Sequence, residues 1–260
     1  MMSEKSDGTM RLLGDGANRE NRNRFFEKAG IDGGRVVGAK LENGSDVKII
    51  FDSQENIINQ TDALITKKKN IFLSVSVADC LPVFFYEPRV KIIGLAHAGW
   101  RGIAGGVIEN TMKEITELGG MAENLKIALG PGINKCHFKV GEEVADKFKN
   151  YKEYILPPHL DCRALNSTAN QDISANSAER SRCEGKEKNN KYFIDLRGIA
   201  KSKLNELGVK SENIEDSNIC TFCSKNLFSF RRDKPETVEA MVAVIGMKIN
   251  TLLIKGARGI

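Results

Sequence analysis

Ile71-Phe-Leu-Ser-Val-Ser-Val77, Pro82-Val-Phe-Phe-Tyr86 and Lys91-Ile-Ile-Gly-Leu-Ala96 follow one another with only Ala78-Asp79-Cys80-Leu81 and Glu87-Pro88-Arg89-Val90 between them. The first run alternates in polarity and the others are apolar, which is strand patterning. Linkers this short, one of them holding proline, predict adjacent strands of a mixed or antiparallel sheet. The period then changes. Ile103, Val107, Met112, Ile115 and Leu118 share an approximate helical face, closed by Gly119-Gly120. Leu125–Leu129 reads as a strand running into the Gly130-Pro131-Gly132 turn, and Glu142–Lys149 as a short helix. Asp195 is a helix cap before Leu196, Ile199, Ala200, Leu204 and Leu207, and Thr237–Ile249 is the last strand region. Upstream, Arg35–Val37 and Val47–Phe51 are strand-like, whereas residues 1–30 lack a clean period and are expected to be loosely ordered. Residues 163–190 are polar and aperiodic and read as a mobile insertion. Helices and strands intersperse without a βαβ rhythm, so the expected fold is α+β, a single domain over residues 31–250 with mixed β-sheets and flanking helices.

The chain has 260 residues and a formal charge of +5, with 41% hydrophobic and 28% charged residues, as a soluble globular protein would. No window approaches the run of about eighteen apolar residues that a membrane-spanning helix needs. The opening segment carries Glu4, Asp7, Asp15 and Glu20 and no apolar stretch, so a secretory signal is not expected and the reducing cytoplasm is the expected compartment. The basic excess is small and scattered, without the sustained stripe and interleaved aromatics of a nucleic-acid binder. Six cysteines at irregular spacing do not form a disulfide framework. Cys220-Thr-Phe-Cys223 has CxxC spacing, but no second pair stands at zinc-ribbon distance, so the two are read as half-buried thiols.

Chemistry gathers at strand ends. Ala78-Asp79-Cys80-Leu81-Pro82 sets a carboxylate beside a thiol. Ala96-His-Ala-Gly-Trp-Arg-Gly102 ends a strand with an imidazole, the chain's one tryptophan and an arginine, among small residues that let a ligand approach. Phe228-Ser-Phe-Arg-Arg-Asp233 holds paired arginines. Cys80 and His97 end successive strand regions and are expected to meet at one sheet end. They would act there either as soft metal ligands or as a thiolate–imidazolium nucleophile.

These motifs, with Leu129-Gly-Pro-Gly-Ile133, Val140-Gly141, Asp195-Leu196-Arg197 and Cys220-Thr221, stand in the order found in the YfiH-like, or laccase-domain, family, which the chain resembles over roughly residues 35 to 245. The resemblance implies an α+β single domain and phosphorolysis of purine nucleosides (adenosine, inosine, guanosine and methylthioadenosine), with adenosine deamination as a second activity; polyphenol oxidase is an older name for such proteins. It also implies a His/Cys/His zinc centre in which Cys80 and His97 fill two positions, 97 − 80 = 17 residues apart. The first histidine belongs to a Gln-x-His-Gly pattern. Here the chain reads Lys40-Leu41-Glu42-Asn43-Gly44, and no histidine precedes His97. Glu42 is taken as the substitute ligand, the alternative being a surface residue. His137, beside Cys136, is a second candidate, set against a structural or solvent-facing role, and His159 is read as a loop residue. Lys139 stands where a carboxylate is common in the family.

On this reading Arg101 clamps phosphate or substrate, Arg231 and Arg232 are weaker candidates, and Asp79 orients a ligand or moves a proton. Zinc is expected in preference to copper, because three histidines cannot build a multicopper centre. The rival readings are a noncatalytic or weakened member that binds a nucleoside, and a metal-free Cys–His hydrolase with Cys80 as nucleophile.

Overall fold

The computed structural model describes residues 1–156 and 191–248. The stretch 163–190, read as an insertion, and His159 lie outside the described residues. Among the described residues the fold is α+β, a single domain with three sheets and flanking helices.

The hairpin Leu81–Glu87 and Ile92–Ala98 forms as the sequence suggests, in antiparallel register from Leu81↔Ala98 to Glu87↔Ile92. It is the centre of a six-stranded sheet whose order is Ile214–Asp216, Lys126–Leu129, Leu81–Glu87, Ile92–Ala98, Ala63–Thr66, Val47–Ile49. The Phe72–Val77 strand does not join it. That strand belongs to a four-stranded sheet ordered Met241–Gly246, Phe72–Val77, Val36–Ala39, Ile57–Ile58. The chain changes sheets at Ala78-Asp79-Cys80, and Asp79 turns the corner with φ of 76°, a left-handed conformation that aspartate tolerates better than most residues. A small third sheet pairs Lys191–Ile194 with Ile155–Leu156 and Lys139–Gly141.

The two larger sheets pack face to face. Leu64, Ile93 and Leu95 from one meet Val37, Leu73, Val75, Val77 and Met241 from the other. The far face of the six-stranded sheet is covered by helices Val107–Glu117 and Leu196–Glu206 through Val107, Ile108, Met112, Ile115, Ile199 and Leu204. Every residue of Ile92–Ala98 is buried, which accounts for its continuous apolar run.

Residues 1–30 depart from the loose segment expected of them. Gly16–Lys28 is a helix capped by Asp15, whose side chain accepts from the Asn18 amide. Phe25, Phe26 and Met10 cover the outer face of the four-stranded sheet against Val36, Phe72, Val242 and Val244. Buried Arg22 donates to the Met10 carbonyl and to Ser74 Oγ. Only one edge of this polar helix is apolar, so periodicity could not reveal it.

Candidate active site

The seam where the chain changes sheets opens into a cavity of about 740 Å³. Its wall includes Asp79, Cys80, His97, Trp100 and Arg101, so both strand-end motifs face one space. Leu81↔Ala98 pairing sets Cys80 against the end of the His97 strand. A Cβ on Gly99 would lie 3.0 Å from Cys80 Sγ and 3.7 Å from His97 Cε1, so this glycine leaves room for the sulfur and imidazole to face each other.

His97 is 4% exposed. Its Nδ1 lies 2.9 Å from Asp62 Oδ1, and its backbone N–H donates to the Asp62 carbonyl. The Cys80 sulfur also interacts with this ring. Burial alone would push the imidazole down, but electrostatic attraction to the Cys80 sulfur and the Asp62 hydrogen bond outweigh it and hold His97 at about 10. Asp62, 1% exposed, is pushed up by burial and pulled further down by hydrogen bonds from His97 and the Gly44 and Glu42 amides, so it stays below the usual carboxylate range. Asp62 was not among the sequence candidates. Its only mark there is a carboxylate just before the buried Ala63–Thr66 strand, which pairs with the His97 strand.

Glu42 does not join this group. Asp62 Oδ2 accepts from the Gly44 amide at 2.7 Å and the Glu42 amide at 3.3 Å, which pins the loop backbone and leaves the Glu42 side chain exposed, off the cavity wall. Asn43, at φ of 58°, lines the cavity instead. A catalytic zinc site ordinarily has three protein ligands from His, Cys and carboxylates. Cys80 and His97, with Asp62 on the far ring nitrogen as metal-ligating histidines have, supply two of them, and the neutral amide of Asn43 is a poor third. Among the described residues, those at this site therefore do not make a complete zinc centre.

Asp79 is on the wall with both carboxylate oxygens engaged: Oδ1 accepts from Thr221 Oγ1 at 2.6 Å and Oδ2 from the Arg231 amide at 2.7 Å. These bonds fix the turn that carries Cys80. Arg101 lies on the first turn of the Trp100–Gly105 helix, its guanidinium 4.3 Å from the centre of the Trp100 ring. Arg231 lines the cavity and donates to the Lys139 carbonyl at 2.7 Å. Arg232 instead donates to the carbonyls of Thr221, Phe222 and Ser224, a structural role. Among the described residues, Arg11, Lys40, Arg101 and Arg231 set four basic side chains against the single carboxylate of Asp79 on this wall, and Leu41, Trp100, Phe138 and Phe230 add apolar surface. Such a wall suits an anion joined to a flat apolar group.

His137 does not reach this cavity. It lies in a turn beside Cys136, Cys220 and Cys223, four residues whose donor atoms all fall within 4.8 Å of one another, a set able to hold a metal ion.

Known proteins resemble this one over most of its length. The purine nucleoside phosphorylase YlmD of Bacillus subtilis (strain 168) is 32% identical over 193 residues, 74% of this chain and 60% of that protein. The adenosine deaminase RL5 of an unknown prokaryotic organism is 30% identical over 70% of this chain and 61% of its own length. The chain thus spans less than two thirds of either relative. The crystal structure of YlmD from Geobacillus stearothermophilus superposes with a TM-score of 0.74 at 27% identity, covering 93% of this chain and 85% of that one. The family model described as multi-copper polyphenol oxidoreductase laccase matches residues 14–248, and the chain belongs to that family.

Proposed function

We propose that the cavity binds a purine nucleoside and phosphate and carries out phosphorolysis to free base and ribose 1-phosphate, with adenosine deamination as the accompanying activity. The observation that carries this reading is the meeting of Cys80 and His97 with four basic side chains in one cavity of about 740 Å³. That volume is within the range of small-molecule sites, roughly 300–1,000 Å³. Names borne by relatives, a purine nucleoside phosphorylase and an adenosine deaminase, support it. In this scheme Arg101, Lys40, Arg11 and Arg231 hold the phosphate near the anomeric carbon, with guanidinium forks matching its oxygens. Trp100, Phe138 and Phe230 take the purine. His97, oriented by Asp62 at Nδ1, offers its other ring nitrogen to the departing base as proton donor, exchanging its contact with Cys80 for that one. Asp79 is a positioning residue for the Cys80 turn. Zinc, expected from the resemblance, would be held by Cys80 and His97 with an incomplete shell, so no step is assigned to it. The free thiols suit the reducing cytoplasm we expect for the protein.

The test is release of free base from adenosine, inosine, guanosine and methylthioadenosine with and without phosphate, in chelator-treated and zinc-supplemented protein. Phosphate-dependent release, with Arg101→Ala raising the phosphate KM, supports the proposal. Tight nucleoside binding without turnover in both preparations would sink it and favour a binding protein.

One observation favours a second reading. Asp62 orients His97, which interacts in turn with the Cys80 sulfur, the arrangement of a Cys–His hydrolase. Ester or amide hydrolysis that chelation leaves intact and Cys80 alkylation abolishes would select it.

A further inference from the structure

We propose that Cys136, His137, Cys220 and Cys223 form a structural Cys₃His zinc site, separate from the cavity, that clasps two loops behind the Cys80 turn. None of the four lines the cavity.

The loops are already joined by backbone. Gly132 bridges Cys220, the Gly132 amide donates to the Ile219 carbonyl, and the Thr221 amide donates to the Gly132 carbonyl. On this frame Cys136 Sγ lies 3.7 Å from Cys220 Sγ and 3.8 Å from Cys223 Sγ. A disulfide would need about 2.05 Å, so these sulfurs are not bonded to one another. Zinc–sulfur bonds of about 2.3 Å at tetrahedral angles set sulfurs about 3.8 Å apart. The spacing is therefore that of a thiolate cage. His137 Nδ1 closes the group at 3.1 Å from Cys136 Sγ and 3.3 Å from Cys223 Sγ.

The surroundings are those of coordinated sulfur. The Asn134 amide donates to Cys220 Sγ at 3.4 Å, and the Cys223 amide also bonds that sulfur. Amide donors to a ligating thiolate are what a second shell supplies. The His137 ring stacks on Phe222 at 3.9 Å between centroids and 15° between planes, which holds Nδ1 toward the sulfurs. Cys136 and Cys220 are buried and Cys223 is exposed, so the group is nearly closed yet reachable from solvent. On binding, each cysteine gives its thiol proton to solvent as a zinc–sulfur bond forms, and His137 binds as neutral imidazole. Four protein donors leave no open position, so the ion stabilises and does not catalyse. What it holds is specific: Thr221, between two ligands, gives its hydroxyl to Asp79.

The experiment is zinc analysis of protein purified without added metal. The Cys80→Ala/His97→Ala double variant is expected to keep one zinc per chain, and Cys220→Ser and Cys223→Ser to lose it. His137→Cys is expected to retain zinc where His137→Ala weakens it. If serine substitution unfolds the chain, demetallated Cys80→Ala/His97→Ala protein titrated with cobalt(II) gives a second reading, through a thiolate-to-cobalt charge-transfer band and tetrahedral visible bands. Zinc content unchanged by Cys220→Ser, absence of those cobalt bands, or a Cys136–Cys220 disulfide in protein purified under reducing conditions would overturn the proposal. None of these readouts depends on nucleoside turnover.

Discussion

Asn43 lines the cavity together with Cys80 and His97. It sits at φ of 58°, a conformation that asparagine and histidine both adopt more readily than most residues. Asn43→His should therefore fit the loop and present a second imidazole, a third metal ligand, beside Cys80 and His97. We expect that variant to gain zinc relative to the parent and to turn over nucleoside faster, whereas Glu42→Ala and Glu42→His leave zinc content and rate at parental levels. Metal analysis and phosphorolysis on all three variants check this, and loss of zinc in Glu42→Ala would restore Glu42 to the site. Cys80 and His97 were legible in the sequence because each ends an apolar run among small residues. Asp62 was not, since the partner of a buried histidine is chosen by strand pairing, here Ala63↔Ala96, and pairing is not written in local pattern. The cysteine cluster was missed for a related reason. The CxxC finds its partners in Cys136-His137, 84 positions before Cys220, and these lie in a turn, where the opposite-face rule of strands does not hold.

Elements were legible where their signals are local. The Asp195 cap accepts from the Gly198 amide, and the Leu81–Ala98 hairpin forms on its Glu87-Pro88-Arg89 turn. Sheet membership was not, and Phe72–Val77 went to the other sheet because Asp79 reverses the chain. The single helical face from Ile103 to Leu118 is likewise two helices, divided at Gly106 with φ of 92°. The first of these helices presses on the Asn43 loop. A Cβ on Gly102 would stand 2.9 Å from the Gly44 carbonyl oxygen, while one on Gly105 would meet Ser45 at an ordinary 3.7 Å. Gly102→Ala should thus cost about 1–3 kcal/mol by overpacking and weaken nucleoside binding. Gly105→Ala should be neutral or stabilising by up to about 1 kcal/mol through helix propensity. Denaturant midpoints of the two variants check the pair, and equal midpoints would show that the loop yields freely.

At the scale of the whole molecule, Asp216 is a brace between the Leu196–Glu206 helix and the loops beyond it. It accepts from Arg197 Nη1, from Lys201 Nζ at 2.5 Å and from the Asn218 amide. Burial would raise its carboxyl, but the Lys201 hydrogen bond and the Arg197 charge hold it below the usual value. A carboxyl depressed on folding stabilises fully above its unfolded value of about 3.9, and that stabilisation is lost as pH falls through the lower folded value. Asp216→Asn should then lower Tm at neutral pH, and the gap to wild type should close in acid. Melting curves across that range check it, and a gap independent of pH would remove the charge from the explanation. The cavity described above has its own division of labour. Asp79, Cys80, His97, Trp100 and Arg101 belong to one hairpin and its flanks, with Ser76 and Ala78 just before it, whereas the rest of the wall comes from residues 11–13, 39–41, 43, 133, 138, 230–231, 238 and 240. The hairpin thus carries Cys80 and His97 as one contiguous cassette. Much of the remaining wall is assembled from scattered segments, so a substitution in one of them would reshape the cavity while leaving Cys80 and His97 in place.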